Sequence, residues 1–207
     1  MSSFIVIEGL DGSGKTELSK RLTTHFKNNL GQASVLHTYE PHNDYCAGVF
    51  IRQALRREIV VSDRTLLFAY AANREDHLQR EILPFLQQNE HLVICDRYRM
   101  SSLVYQSTAK ISMDEIMSVN RQALKPDLTL FLDVSPETAR QRRQIRGGMV
   151  ELFDAKSEMM RAKYEKAITF LQMSGERIER IDANVGIDQV LQQAIDIIAI
   201  SSIKNGN

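Results

Sequence analysis

Along the chain, short runs rich in β-branched and aromatic residues alternate with longer stretches whose apolar positions recur every three or four residues. The runs FIVIE (4–8), SVLHTY (34–39), LVICD (92–96), LTLFLDV (128–134) and IERID (178–182) are expected to be strands. Several are apolar throughout, as strands covered on both faces must be. Strands separated by helical stretches predict an α/β fold, a parallel sheet flanked by helices. The final helix is predicted over 187–203, with Ile187, Val190, Leu191, Ala194 and Ile198 forming one stripe toward the sheet. Pro84 falls inside a helical pattern and is expected to kink it, whereas Lys125-Pro126-Asp127 punctuates the start of a strand.

Composition narrows the possibilities. With 207 residues, 43% of them hydrophobic, the chain can build one domain with a sizeable core, so 1–207 is read as a single domain. Twenty-six basic residues balance twenty-six acidic ones, so no global field draws the protein to nucleic acid or to an anionic membrane. Any anion must be bound locally. No apolar stretch approaches the length of a membrane span and none resembles a cleavable leader, which predicts a cytoplasmic protein. Cys46 and Cys95 have no His or Cys at ligand spacing and are expected to be reduced thiols. His25, His37, His42, His77 and His91 likewise show no ligand spacing, and none is assigned a catalytic role.

The first strand runs into Gly9-Leu10-Asp11-Gly12-Ser13-Gly14-Lys15-Thr16, which fits G-x-x-x-x-G-K-[ST] between a strand and a helix. Glycines there let successive backbone N–H groups curl around a phosphate at the positive end of the following helix. Lys15 can reach β- and γ-phosphates, and the Thr16 hydroxyl can ligate Mg²⁺. The nucleotide is therefore a nucleoside triphosphate. The acceptor stays open, because GTPases, motor ATPases and small-molecule kinases all use this loop.

A second constellation, LVICDRYRMSSLVYQ (92–106), ends an apolar strand in Asp96-Arg97. An acid at the tip of a neighbouring strand suits a magnesium shell, and the guanidinium beside it offers a fork for phosphate. Tyr70 and Arg74 lie four apart, so a ring and a guanidinium share one helix face; Ser102 and Gln106 repeat that spacing.

Together the loop GLDGSGKT, the strand-end DRY and the following SSLVYQ resemble the thymidylate kinase family, bacterial type, of P-loop nucleoside monophosphate kinases. Glu40-Pro41, Ile51-Arg52, LLFAYAANRED (66–76) and KPDLTLFLDVSPETARQR (125–142) extend the resemblance over nearly the whole chain. It implies a three-layer P-loop kinase fold with a five-stranded parallel sheet and a mobile lid at about 142–154. It implies transfer of the γ-phosphoryl of ATP to dTMP with Mg²⁺, in a homodimer. A kinase for another deoxynucleotide or deoxynucleoside, or a regulatory P-loop ATPase, is the alternative.

By the same resemblance, Tyr70 stacks on thymine, Arg74 contacts the base or phosphate region, and Ser102 and Gln106 bond the base edge. Tyr105 lies near the sugar 2′ position, Arg52 lines the acceptor side, Glu40 lies near the acceptor and the metal, and Asp11 approaches the sugar 3′-hydroxyl and the metal waters. Lys15, Asp11 and Arg97 are the expected catalytic groups, with Asp96 and Thr16 at the metal. Gly12 stands where some relatives carry an arginine, so positive charge for the group in flight is expected from ARQRRQIRGG (139–148). Arg142 and Arg146, four apart, are the candidates, and Arg143 is expected on a different face. His42-Asn43-Asp44 replace the family's Gly-Gly-Thr after Glu40-Pro41, and Glu151 is read as standing in for a lid glutamate.

Overall fold

The structure, a computed structural model, describes residues 2–145 and 153–204. Five strands, β1 (Ser3–Gly9), β2 (Val35–Tyr39), β3 (Leu92–Asp96), β4 (Leu128–Asp133) and β5 (Ile178–Asp182), form one parallel sheet in the order β2-β3-β1-β4-β5. All five agree with the sequence reading to within about one residue at most ends. The alternation of β1 explains the layers. Ile5 and Ile7 enter a large core with Leu18 and Leu22 of helix α1 (Lys15–Leu30), whereas Phe4 and Val6 face a second cluster with Leu78, Ile82, Val93 and Tyr98. The edge strand β5 keeps only Ile178 and Ile181 buried, so its alternation is cleaner than that of the central strands.

The remaining helices are α2 (Gly48–Leu55), α3 (Asp63–His77), α4 (Leu83–Leu86), α5 (Arg99–Gln106), α6 (Met113–Val119), α7 (Pro136–Ile145), α8 (Phe153–Met173) and α9 (Ile187–Lys204). Ser62 caps α3 by accepting from the Thr65 N–H at 3.1 Å, and Ser112 caps α6 in the same way. Along α9, Val190, Ala194 and Ile198 are buried and Ile187 and Leu191 pack beside them, as the stripe predicted. Around Pro84 the chain does not simply kink. A π turn over Leu78–Ile82 joins α3 to α4, a wider winding that absorbs the N–H missing at a proline. At the start of β4, Asp127 accepts the Phe4 N–H on its side chain at 2.7 Å and returns its own N–H to the Phe4 carbonyl at 2.9 Å.

Register brings the chemistry to one edge. Ile7 of β1 pairs with Asp96 of β3, so the loop after β1 and the Asp96-Arg97 turn leave the sheet side by side. That is the carboxyl edge at a reversal of strand order, where open α/β sheets bind ligands.

Behind that edge, Arg99 at the start of α5 donates to Glu176 at 2.7 Å and to the Ala123 carbonyl at 3.3 Å, with both charged side chains buried. This pair ties α5 to the turn before β5. Glu176→Leu should lower the free energy of unfolding in urea by about 3–5 kcal/mol, because it leaves a buried guanidinium unpaired. Combining it with Arg99→Met should recover most of that loss.

Candidate active site

The loop from Gly9 to Lys15 is fixed by sterics before it meets any ligand. Gly12 has φ near +90°, and a Cβ there would lie 2.4 Å from the Ala139 carbonyl oxygen of α7. No side chain fits. The Ser13 N–H closes onto the Leu10 carbonyl at 3.0 Å, and Lys15 Nζ donates to that same carbonyl at 2.7 Å. Lys15 is buried, which drives its ammonium toward the neutral form; Arg97 adds repulsion, and Asp11, Asp96 and Glu8 only partly compensate, leaving the pKa at about 7.

Arg97 is the second fixed point. It has φ of 74°, its N–H donates to the Ile7 carbonyl at 3.0 Å, and the next turn is gripped by Glu8. The fully buried Glu8 carboxylate accepts from the Tyr98 N–H at 2.8 Å, the Ser101 N–H at 2.9 Å and the Ser101 hydroxyl at 2.7 Å. Burial raises its pKa, against the pull of Arg97 and of those hydrogen bonds. The Arg97 guanidinium pairs with Asp11, donates to Ser101 Oγ at 3.1 Å and to Tyr164 Oη at 3.4 Å, and lies 5.5 Å from the centre of the Tyr105 ring. Tyr164 in turn donates to the Gly9 carbonyl at 2.8 Å. Burial would raise the Asp11 carboxyl, but Arg97, Lys15 and Arg143 outweigh it and hold it below the usual range.

Between these parts and helices α3 and α5 opens a cavity of about 720 Å³. Its walls bring together Asp11, Thr16, Glu40, Arg52, Tyr70, Arg74, Asp96, Arg97, Ser102, Tyr105 and Gln106, the expected acceptor and metal residues. Thr16 Oγ1 donates to Asp96 Oδ2 at 2.5 Å, while Asp96 Oδ1 is buried and meets no partner among the described residues. An orphaned carboxylate oxygen beside a hydroxyl is a donor set for a hard cation such as Mg²⁺. Gln106 is unpartnered too: its buried amide oxygen and nitrogen both lack partners among the described residues, as does the Tyr98 hydroxyl on the same wall.

Arg74, expected to contact the base or phosphate region, is engaged with the protein's own side chains. Its Nε donates to Glu40 at 2.7 Å, Nη2 donates to Ser102 Oγ at 2.9 Å, and Nη1 pairs with Asn120. It is a buried, braced part of the wall, and Ser102 is engaged with it. Arg52 donates to Asn43 at 2.6 Å and to the Pro41 carbonyl at 3.4 Å. Asn73 pins the divergent loop by accepting the His42 N–H at 2.8 Å and donating to the His42 and Cys46 carbonyls.

Two arginines of α7 reach the phosphate loop. Arg142 donates to the Ser13 carbonyl at 3.4 Å and the Val185 carbonyl at 3.1 Å, so it bridges the loop and the turn before α9. Arg143 reaches the Asp11 carbonyl and lies against Gly12, so it faces the phosphate loop. Arg146 and Glu151 lie outside the described residues, as does most of the predicted lid. Sequence reasoning also passed over Glu8, Asn73, His77 and Tyr164. Only the carboxylate closing an apolar run at Glu8 offered a signal.

A model of the thymidylate kinase family matches residues 7–194. The chain belongs to the thymidylate kinase family. It is 35% identical over 202 residues to the thymidylate kinase of Ligilactobacillus salivarius, covering 94% of this chain and 96% of that one. It is 38% identical over 205 residues to that of Mycoplasma capricolum, covering 94% and 93%. A crystal structure of thymidylate kinase from Ehrlichia chaffeensis superposes with a TM-score of 0.73 at 24% identity, over 95% of this chain and 98% of that one, which supports the fold.

The depressed pKa of Lys15 has a measurable consequence. Its pKa falls from 10.5 to about 7, so at pH 8 the empty loop holds it mostly neutral, and the negative charge of a bound triphosphate restores the ammonium. Calorimetry at pH 8 in buffers of different ionisation enthalpy should show uptake of about one proton per nucleotide. At pH 6, where Lys15 already carries its proton, the uptake should vanish, and Lys15→Met should abolish the uptake at pH 8.

Proposed function

We propose that this chain transfers the γ-phosphoryl of ATP to dTMP, giving ADP and dTDP. The observation that carries the acceptor side is Gln106: a buried amide, without a partner among the described residues, facing a cavity that opens onto the phosphate loop. A planar pyrimidine with one donor and one acceptor side by side on its edge satisfies both atoms of such an amide. Tyr70 offers a ring face and Tyr105 a second ring toward the sugar.

In this reading a phosphate oxygen of dTMP attacks the γ-phosphorus, the bond from that phosphorus to the β–γ bridging oxygen breaks, and ADP leaves with the electron pair. No covalent enzyme intermediate forms. Lys15 and the loop N–H groups neutralise the donor phosphates, and Arg97, held rigidly by its surroundings, meets the charge between donor and acceptor. Asp11 keeps Arg97 extended and offers an acceptor for a sugar hydroxyl. Thr16 and Asp96 would hold Mg²⁺, which when bound neutralises the β- and γ-oxygens. Arg143 is the α7 group nearest the loop's charge, with Arg142 bracing the loop itself.

We also infer a cytoplasmic homodimer. Among the described residues no helix is long and apolar enough to cross a membrane, and Val49, Val60 and Phe68 on or beside α2 and α3 leave large apolar surface exposed.

Coupled ADP release with dTMP, dUMP, dCMP and AMP tests the acceptor. The rate should be highest with dTMP, and loss of the 5-methyl group in dUMP should cost about 1–3 kcal/mol in kcat/KM. Gln106→Leu should raise KM for dTMP and leave KM for ATP nearly unchanged. A preference for dCMP or AMP would end this reading.

The α7 arginines give a separate test. Arg143→Ala should lower kcat by about ten-fold or more with little change in KM for dTMP, as expected for charge that matters most while the phosphoryl is in flight. Arg142→Ala should instead raise KM for ATP, because it loosens the loop that binds the donor. Steady-state kinetics with each substrate varied in turn separates the two.

A further inference from the structure

Arg74 and His77 are three residues apart on α3, so both project from one face, and both reach the same carboxylate. Arg74 Nε lies 2.7 Å from one Glu40 oxygen and His77 Nδ1 lies 3.4 Å from the other. The far ring nitrogen of His77, Nε2, is 2.9 Å from Glu81 Oε2 and 2.7 Å from Thr38 Oγ1, and the Thr38 hydroxyl donates to that Glu81 oxygen at 2.9 Å. His77 is fully buried and does not line the cavity, whereas Glu40 and Arg74 do.

The groups facing this ring come from every neighbouring element. Thr38 and Glu40 come from β2 and the turn after it, Glu81 from the π turn, and Arg74 from α3. The rings of His42 and Tyr45 lie 5.3 and 5.2 Å away, and the buried Cys95 thiol on β3 feels the Glu40 charge. Charge balance follows. With His77 protonated, two cations meet two carboxylates; without its proton, one carboxylate, the half-buried Glu81, is left without a cation in this cluster. Burial pulls the imidazolium pKa down, but the hydrogen bonds to Glu40 and Glu81 outweigh it and raise it.

We propose that His77 is a positioning residue for the acceptor site: by holding the second oxygen of Glu40, it fixes the direction of Arg74 in the cavity wall. The proposal rests on the reading of that cavity as the dTMP site. Arg74's other partners, Ser102 and Asn120, are neutral. Stripped of His77, a dry carboxylate turns both oxygens to its one remaining cation and draws the guanidinium away from Ser102. The wall that meets the base then changes shape while the phosphate loop does not.

The test separates the two ring nitrogens. An asparagine amide nitrogen occupies the place of Nδ1 and a glutamine amide nitrogen that of Nε2, so His77→Asn keeps the donor toward Glu40 and His77→Gln keeps the one toward Glu81. With wild-type dTMP kinase activity established first, His77→Gln should raise KM for dTMP by about ten-fold with KM for ATP within about two-fold, and His77→Asn should recover most of the difference. Equal KM for dTMP in the two variants, or KM for both substrates rising together, would overturn the proposal. The unaltered protein gives a second measurement should either variant fail to fold. Ring-nitrogen NMR should show the Nδ1 resonance of His77 moving when dTMP binds and staying in place when ATP alone binds. An Nδ1 resonance unmoved by dTMP overturns the proposal as well. A wild-type chain that does not phosphorylate dTMP would end the functional reading itself, an outcome distinct from an active enzyme whose two variants behave alike.

Discussion

One waterless carboxylate holds the two halves of the site in register. Glu8 leaves β1 just before the phosphate loop and takes three hydrogen bonds from the turn that follows β3, spanning 93 residues of sequence to reach Ser101. Its effect is indirect. By satisfying the amides of Tyr98 and Ser101 it stabilises a turn in which Arg97 must adopt a left-handed backbone, a conformation that costs about 1–3 kcal/mol for a residue with a Cβ. The guanidinium that results is held toward Asp11 by its own protein partners. Preorganisation of this kind is what electrostatic catalysis requires, since dipoles that need not turn during the reaction cost nothing at the moment charge moves.

Much of this was legible because it was local. The strands announced themselves as apolar runs because the sheet is covered on both faces, and the phosphate loop because its glycines answer to backbone geometry that few other residues tolerate. Asp96 and Arg97 could be read from their place at a strand tip. Arg74 could be placed in the site but not understood there, since its contacts come from residues 28 to 46 positions away in sequence. Glu8 looked like the end of a strand, Asn73 like any polar helix residue, and His77 like a histidine without ligand spacing. Each acquires its role only when the sheet brings a distant partner to it.

The same distinction explains the α7 arginines. Helix spacing says which side chains share a face, but not which face meets the loop. Ala139 settles that, because its carbonyl rests on Gly12, and α7 then carries Arg143 to the Asp11 carbonyl and Arg142 to the Ser13 and Val185 carbonyls.

The contact between Gly12 and the Ala139 carbonyl also constrains what kind of relatives this chain can have. An arginine at position 12 would have to displace a turn of α7 before it could contribute any charge. Supplying cationic charge from the loop and supplying it from the helix that roofs the loop are thus alternative occupants of one volume. A single substitution at residue 12 therefore does not convert one arrangement into the other: α7 must lift to make room, and lifting it withdraws the charge of Arg143 from the loop.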